Sequence, residues 1–206
     1  MATAKQEKGL LIVLSGPAGS GKGTVLSRIL ADPQYAYSVS ATTRAPRPGE
    51  VDGVNYHFLT REEFEARIAS GAMLEYTEYC GNYYGTPKKE TEEVLASGRH
   101  LILEIEVEGA ANVKRQYPDA VAIMLLPPSY AEQERRLRGR GTETEEKILA
   151  RLEQTKSELT CLGDYDYVIY NRTDGIEACA DDIRAIVRAE RAALSRNADA
   201  ATRYFE

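Results

Sequence analysis

Several features that would define a class of protein are absent or scarce in this sequence. There is no tryptophan, and the three cysteines, Cys80, Cys161 and Cys179, have neither the spacing of metal ligands nor an obvious pairing. We expect reduced thiols, which are typical of a cytoplasmic protein. Residues 1–9 lack the apolar core of a secretory signal, and no apolar run approaches the ~20 residues of a membrane-spanning helix. The sequence therefore predicts a cytoplasmic location and no membrane partner.

Positively charged residues are also fewer than negatively charged ones. The 206 residues include 26 Lys and Arg against 32 Asp and Glu, and this net charge of −6 argues against a nucleic-acid polymer as the main partner. Any phosphate ligand would therefore have to meet positive charge that is concentrated locally. The length and the 43% hydrophobic content suffice for one domain with a sizeable core and small inserted lobes.

A glycine-rich loop follows the apolar run Leu10–Ser15. It reads Gly16-Pro17-Ala18-Gly19-Ser20-Gly21-Lys22-Gly23-Thr24. Gly16, Gly21 and Lys22 fit the phosphate-loop pattern, in which backbone N–H groups and a helix N-terminus bind phosphates. Lys22 is expected to place its charge on the terminal phosphates of a nucleoside triphosphate. Gly23 replaces the usual hydroxyl ligand of Mg²⁺, so we expect the cation to be held mainly through water and substrate phosphates.

Predicted strands and helices alternate along the chain, which is typical of a parallel sheet covered by helices on both sides. The core strands are expected at about 10–15, 36–40, 100–107, 120–126 and 167–170. Residues 41–96 look like an insertion of small strands and helices. The predicted fold class is α/β, a phosphate-loop core with a five-stranded parallel sheet and an inserted mixed α+β lobe. Because ligands bind beyond the carboxyl ends of such strands, the loop, Ser40, Glu104 and Glu106 are expected along one edge.

Local signals mark the ends of individual helices. Thr60 and Glu63 form a capping box, so we expect a helix that begins there and ends at Gly71. Thr86 and Pro87 are predicted to be the N-cap and the first residue of the next helix, a position where the missing N–H of proline costs no hydrogen bond.

Four stretches together resemble the guanylate kinase family, in the same order and over nearly the whole chain. They are the phosphate loop, Ser38-Val39-Ser40-Ala41-Thr42-Thr43-Arg44-Ala45-Pro46-Arg47-Pro48-Gly49-Glu50, Gly81-Asn82-Tyr83-Tyr84-Gly85-Thr86 and Arg136-Leu137-Arg138-Gly139-Arg140-Gly141. A phosphate loop alone would indicate only nucleotide binding. The resemblance implies in-line phosphoryl transfer from ATP to GMP, and also to dGMP, with Mg²⁺ as cofactor and a place in purine nucleotide metabolism.

The resemblance also implies three parts within a single domain, residues 1–206. They would be a core at about 1–37, 97–129 and 162–206, a GMP-binding lobe at about 38–96, and a helical lid at about 130–161. ATP would bind the loop from Gly16 to Thr24, with Asn171 near adenine. Transition-state charge would be stabilised by Lys22, Arg44, Arg136, Arg140 and Arg151, of which the last three belong to the lid.

By the same resemblance, four residues would hold the phosphate of GMP: Arg44, Arg47, Tyr56 and Tyr84. The planar guanidinium group suits this task because its paired N–H groups match two phosphate oxygens. The tyrosine hydroxyls would add further donors.

Guanine differs from adenine in presenting two adjacent donors, N1–H and the exocyclic amine, and one carboxylate can accept both. Glu75 matches the family residue with that role, Ser40 would donate to O6, and Thr86 would also meet the base. Glu104 and Glu106 stand where many members have aspartate. Glu104 is expected to orient water around Mg²⁺, and Glu106 to face GMP.

Two other interpretations remain open from the sequence. A guanylate-kinase-like scaffold module would bind a phosphopeptide without catalysis, but such modules have typically lost the equivalents of Lys22 and the lid arginines. A kinase for another small phosphorylated acceptor is the second alternative, and Glu75 and Ser40 argue against it. The oligomeric state stays open between monomer and homodimer.

Overall fold

The structure is a computed structural model that describes residues 8–141 and 143–205. The strands are β1 (Leu11–Ser15), β2 (Tyr35–Tyr37), β3 (Ala41–Thr42), β4 (His57–Phe58), β5 (Met73–Tyr79), β6 (Asn82–Pro87), β7 (His100–Glu104), β8 (Val121–Leu126) and β9 (Tyr167–Tyr170). The helices are α1 (Lys22–Ile29), α2 (Arg61–Ala69), α3 (Lys88–Ala96), α4 (Val107–Gln116), α5 (Tyr130–Gly139), α6 (Glu145–Thr160), α7 (Ile176–Ala192) and α8 (Ala200–Tyr204).

The main sheet has the strand order β2-β7-β1-β8-β9, and every neighbouring pair in it is parallel. One face packs against α1 and α7 through buried residues that include Ile12, Leu14, Val25, Ile29 and Ile183. The other face packs against α3 and α4 through residues that include Leu11, Val13, Leu95, Ala110 and Val113. Burial on both faces explains the continuous apolar run of β1. The five-stranded parallel sheet predicted from the alternation of elements is confirmed.

A second, mixed sheet lies between β2 and β7 in the chain, with the order β4-β3-β6-β5. The β3–β4 pair is parallel, whereas β3–β6 and β5–β6 are antiparallel. Its small core is built around Phe64 of α2, which stacks on Tyr83 at a centroid distance of 5.2 Å. The capping box that begins α2 is formed as predicted, because Thr60 and Glu63 each accept a backbone N–H from the other.

The structure corrects three predicted boundaries. β2 ends at Tyr37 and not near residue 40, because its pairing with β7 ends at Tyr37 opposite Ile102. β7 ends at Glu104 and not near Val107, because β1 pairs with it only as far as Leu14 opposite Glu104. Thr86 is not a helix N-cap but a strand residue of β6, where it pairs with Glu75 of β5. In all three cases long-range strand pairing, which no local signal encodes, decides where the element ends.

The helices α5 and α6 pack on each other around Leu137, Ile148 and Leu152. Ala18 of the phosphate loop packs against the same cluster, so the two helices rest directly on the loop. Among the helices in the described ranges, none is both long and apolar enough to cross a membrane.

Candidate active site

The phosphate loop connects β1 to α1, and its path requires glycine at two positions. A Cβ added to Gly16 would lie 2.1 Å from the carbonyl oxygen of Leu125 in the neighbouring strand β8. A Cβ added to Gly21 would lie 2.3 Å from the amide nitrogen of Asn171, and Gly21 also has a left-handed φ of 92°. The loop is therefore pressed between β8 and the end of β9, with its backbone curled at the carboxyl edge of the sheet.

The ammonium group of Lys22 lies against its own loop, where Nζ donates to the carbonyl oxygens of Gly16 and Pro17. Burial lowers the pKa of Lys22, while the carboxylates of Glu104, Glu158 and Glu106 oppose that shift. Arg140 is also close enough to lower this pKa. The structure thus brings Glu104, Glu106 and Arg140 near Lys22.

Glu158 belongs to the same group and was missed by the sequence analysis. It is half-buried on α6, its Oε1 accepts the amide of Gln154 at 2.9 Å, and burial raises its pKa. The available signal was helical spacing, because Arg151, Thr155 and Glu158 follow one another at intervals of four and three residues and share a face of α6.

Asn171 is buried directly behind the phosphate loop. Its amide donates to the carbonyl oxygen of Ser20 at 2.8 Å, and its own backbone carbonyl accepts a bond from Arg136 at 2.9 Å. Asn171 therefore supports the loop in this structure, and its predicted contact with adenine stays a prediction.

The three arginines that were predicted to belong to a lid occupy different environments. Arg136 donates to Glu132 at 2.8 Å and reaches the carbonyl oxygen of Gly19 at 3.5 Å, so it lies on the phosphate loop. Arg140 is exposed at the end of α5, and Arg151 pairs with Glu143 at 2.7 Å. Arg136 is thus already in place beside the loop, whereas Arg140 and Arg151 keep exposed guanidinium groups.

A cavity of about 240 Å³ lies between the two sheets. Six of its lining residues were predicted as site residues: Ser40, Tyr56, Glu75, Tyr84, Glu104 and Glu106. Five others were not: Thr77, Tyr79, Gly85, Ile105 and Gly109. Thr77 and Tyr79 could have been found from Glu75, because residues two apart on a strand share a face.

Glu75 is the most deeply buried acid of the cavity, with 4% of its surface exposed. Burial raises its pKa to about 7, and the hydroxyl and N–H of Thr86 oppose this rise. The Thr86 hydroxyl donates to Oε1 of Glu75 at 2.8 Å, so Thr86 lies behind the carboxylate and not in the cavity wall. A buried carboxylate with spare acceptor capacity is suited to a ligand that offers hydrogen-bond donors.

Arg44 lies in the loop between β3 and β4. Its guanidinium group donates to Glu50 at 2.9 Å and lies 5.5 Å from the ring centre of Tyr56, which in turn contacts Tyr84 edge-on. Glu50 also accepts the backbone N–H of Arg47 at 2.7 Å and so closes the loop between them. The structure brings Arg44, Tyr56 and Tyr84 together, while the Arg47 side chain is exposed.

Tyr37 is a further residue that sequence analysis missed. Its hydroxyl lies 3.5 Å from Oε2 of Glu104, and burial together with Glu104 raises the pKa of this tyrosine. The sequence signal for Tyr37 was its place at the end of β2, next to β7.

Within residues 8–141 and 143–205, no group of three or more His, Cys, Asp or Glu side chains could hold a metal ion. Glu104 and Glu106 line the cavity, and carboxylates such as these can orient the water ligands of Mg²⁺.

Comparison with known proteins gives a consistent result. A family model described as guanylate kinase matches residues 8–190. The guanylate kinases of Halalkalibacterium halodurans and Desulfitobacterium hafniense are 56% and 48% identical to this chain, covering 90% and 93% of it and 91% and 96% of their own lengths. A crystal structure of guanylate kinase from Anaplasma phagocytophilum matches with a TM-score of 0.74 and 36% identity, covering 92% of this chain and 90% of that one. The parallel-sheet core with its phosphate loop and these matches over nearly the whole length show that the chain belongs to the guanylate kinase family.

Proposed function

We propose that this protein transfers the γ-phosphoryl group of ATP to the phosphate of GMP, giving ADP and GDP. The observation that carries the proposal is the position of Glu104 and Glu106. Both line the cavity between the two sheets, and both act electrostatically on Lys22 of the phosphate loop. The acceptor cavity and the donor loop are therefore adjacent, as direct transfer between two nucleotides requires.

The chemistry needs no nucleophile from the protein. An oxygen of the GMP phosphate attacks the γ-phosphorus, a new P–O bond forms, and the bond to the bridging oxygen of ADP breaks in line. The task of the protein is to hold two anions end to end and to neutralise the charge that they share. Lys22 and the lid arginines Arg136, Arg140 and Arg151 would do so from the donor side.

The acceptor phosphate would be held by Arg44, Tyr56 and Tyr84, with Arg47 joining them when the loop closes. Glu50 and the carbonyl oxygen of Ala45 each accept one N–H of the Arg44 guanidinium, at 2.9 and 2.7 Å. The other N–H groups of Arg44 would bind phosphate oxygens. The rings of Tyr56 and Phe58 support the same guanidinium, at 5.5 and 5.8 Å.

Guanine would be recognised by the carboxylate of Glu75, which accepts both N1–H and the exocyclic amine, and by Ser40, which donates to O6. Thr86 orients Glu75 through its hydrogen bond, and Glu106 faces the nucleotide from the other wall. Adenine would leave Glu75 without its donors, so AMP should be a poor acceptor. None of these groups is assigned to the ribose 2′-hydroxyl, and the proposal therefore includes dGMP.

The donor nucleotide would occupy the loop from Gly16 to Thr24, with Lys22 moving from the Gly16 carbonyl to the terminal phosphates. Bound Mg²⁺ would neutralise charge on the β- and γ-phosphates. Glu104 would orient the water ligands of Mg²⁺, and the Thr24 hydroxyl would donate to a phosphate.

The proposed division of the chain is a core (1–37, 97–129, 162–206), a GMP-binding lobe (38–96) and a lid (130–161). A cytoplasmic location and the choice between monomer and homodimer stay predictions.

The test is an assay of ADP release with ATP and Mg²⁺, in which GMP, dGMP, AMP, CMP and UMP are offered in parallel. We expect release with GMP and dGMP only. Release with another monophosphate would keep the kinase and overturn the specificity. Folded protein that releases no ADP with any acceptor would support the phosphopeptide-binding alternative instead.

A further inference from the structure

Gln133 of α5 is a fully buried polar residue that joins three parts of the structure. Its amide nitrogen donates to the carbonyl oxygen of Ala18 in the phosphate loop at 2.9 Å, and to the hydroxyl of Thr155 in α6 at 2.7 Å. Only 1% of Gln133 and 4% of Thr155 are exposed. The Thr155 hydroxyl in turn donates to the carbonyl oxygen of Arg151 at 2.9 Å, so the hydrogen bonds continue into the backbone of α6.

Apolar packing also stabilises this contact between the phosphate loop, α5 and α6. Ala18 lies against the cluster formed by Leu137, Ile148 and Leu152, and Gly19 lies beside the same Leu137 side chain. A glutamine amide inside an apolar joint is costly unless both of its N–H groups are paired. Here both have acceptors, so the hydrogen bonds can form only when loop, α5 and α6 hold this one arrangement.

We infer that Gln133, together with Thr155, is a positioning residue that fixes the phosphate loop to the lid and thereby sets the affinity for the donor nucleotide. This inference rests on the proposed function. Gln133 would touch no substrate and would act only through the backbone at Ala18. We call the pair Gln133–Thr155, with its bond to Ala18, the loop latch.

Peptide geometry links the loop latch to phosphate binding. The carbonyl of Ala18 and the N–H of Gly19 belong to one planar trans peptide and point in opposite directions. When Gln133 holds the carbonyl toward the lid, the N–H of Gly19 is turned away from the lid. A phosphate loop binds its anion with converging N–H groups, so a peptide free to rotate would lose part of that convergence.

The loop latch also has a directional consequence. Its hydrogen bonds join the loop to two lid helices, and none of Ala18, Gln133 and Thr155 lines the cavity between the two sheets. Breaking it should therefore weaken binding of ATP and leave binding of GMP unchanged. A residue needed only for general stability would affect both nucleotides alike.

The experiment uses the full chain and measures three quantities for each variant: the dissociation constant for ATP without GMP, that for GMP without ATP, and the midpoint of thermal unfolding. Gln133→Leu removes both donated bonds with little change in volume. We expect ATP binding to weaken about tenfold, since one anchoring hydrogen bond to the loop is lost. GMP binding should stay within about twofold of the unaltered protein.

Two matched variants separate positioning from stability. Thr155→Val keeps the Gln133 bond to Ala18, so it should lower the unfolding midpoint but weaken ATP binding less than Gln133→Leu. The double variant, Gln133→Leu with Thr155→Val, places two apolar side chains in contact and should recover stability relative to either single change. It should still bind ATP as weakly as Gln133→Leu alone. Thr155→Ser, which keeps the hydroxyl, should behave like the unaltered chain.

The outcomes distinguish the inference from the proposed function. Suppose that the unaltered chain phosphorylates GMP and that the double variant binds ATP as tightly as the unaltered chain. The loop latch is then purely structural, and the inference is wrong. Equal weakening of ATP and GMP binding in Gln133→Leu would overturn it as well. An unaltered chain that neither binds ATP nor releases ADP would overturn the proposed function, and the inference with it.

Discussion

The hydroxyl of Thr86 donates a 2.8 Å hydrogen bond to Oε1 of Glu75, and both side chains are buried. The two residues stand opposite each other on the antiparallel strands β6 and β5. The bond fixes one carboxylate oxygen from behind, while the other lies beside Gly109, where an added Cβ would come within 3.3 Å. Strand pairing thus orients the acid proposed to recognise guanine before any ligand is present.

Glu75→Gln should weaken the use of GMP far more than the use of ATP. The amide keeps the size of the carboxylate, but it offers one acceptor instead of two and sets an NH₂ group against a donor of guanine. A buried mismatch of this kind costs about 1–3 kcal/mol, so KM for GMP should rise by roughly 10- to 100-fold. The measurement is steady-state kinetics with each substrate varied in turn. An unchanged KM for GMP would show that Glu75 does not recognise the base.

The pH dependence of GMP use should follow Glu75. Its pKa is raised to about 7 by burial, and the ionised form is the one that accepts the donors of guanine. We therefore expect kcat/KM for GMP to rise with pH through about 7, where it reaches half of its maximum, and to level off at higher pH. Glu75→Gln should remove this rise and serves as the control, because an amide does not titrate in this range. A rise that persists in Glu75→Gln would assign the titration to another group.

The same raised pKa predicts a change in stability without ligand. Between the ordinary value of 4.5 and about 7, the folded protein keeps the proton on Glu75 while the unfolded chain releases it. The folded state binds more protons in this window, so Glu75 lowers the free energy of unfolding as the pH rises. The unfolding midpoint of Glu75→Gln, relative to that of the unaltered chain, should therefore increase from pH 5 to pH 7.

Glu50→Gln should impair the GMP side through Arg44. The carboxylate pairs with the Arg44 guanidinium at 2.9 Å and accepts the Arg47 N–H, and an amide can match neither interaction fully. KM for GMP should rise about tenfold, the cost of a lost charge-assisted bond, while KM for ATP should not change. Glu65→Gln is the matched control, because Glu65 pairs at 3.0 Å with Arg61, and not with Arg44, in the same lobe. Equal effects of both changes would contradict a specific role for Glu50.

Gly23→Ser should lower the Mg²⁺ concentration needed for half-maximal activity. A Cβ at Gly23 meets no atom within 4 Å, so the side chain can be added without rearrangement. The new hydroxyl stands where the phosphate-loop pattern has its Mg²⁺ ligand. Gly23→Ala adds the same Cβ without the hydroxyl and should leave the Mg²⁺ requirement unchanged. If the alanine variant shifts it equally, the effect comes from the backbone and not from a ligand.

Much of the fold and part of the site could be predicted, because the sequence patterns that encode them extend over only a few residues. The apolar run of β1, the glycines of the loop and the capping box at Thr60 each act within a few residues, and the structure contains all of them. The clustering of Ser40, Glu104 and Glu106 also followed from sequence, since parallel strands end at one edge. Gly109 was missed because it enters the site only through packing between distant segments, whereas Tyr37 and Glu158 had local signals in a strand end and in helical spacing.

The sequence by itself therefore determined the order of the elements, the phosphate loop and the chemical groups that could serve the reaction. The tertiary structure decided which groups act together. It made Thr86 a strand residue behind Glu75, and it joined Gln133 to Ala18 across 115 residues of chain. The reason is physical: local propensities and turn geometry act over a few residues, whereas a buried hydrogen bond between distant segments exists only after the whole chain has packed.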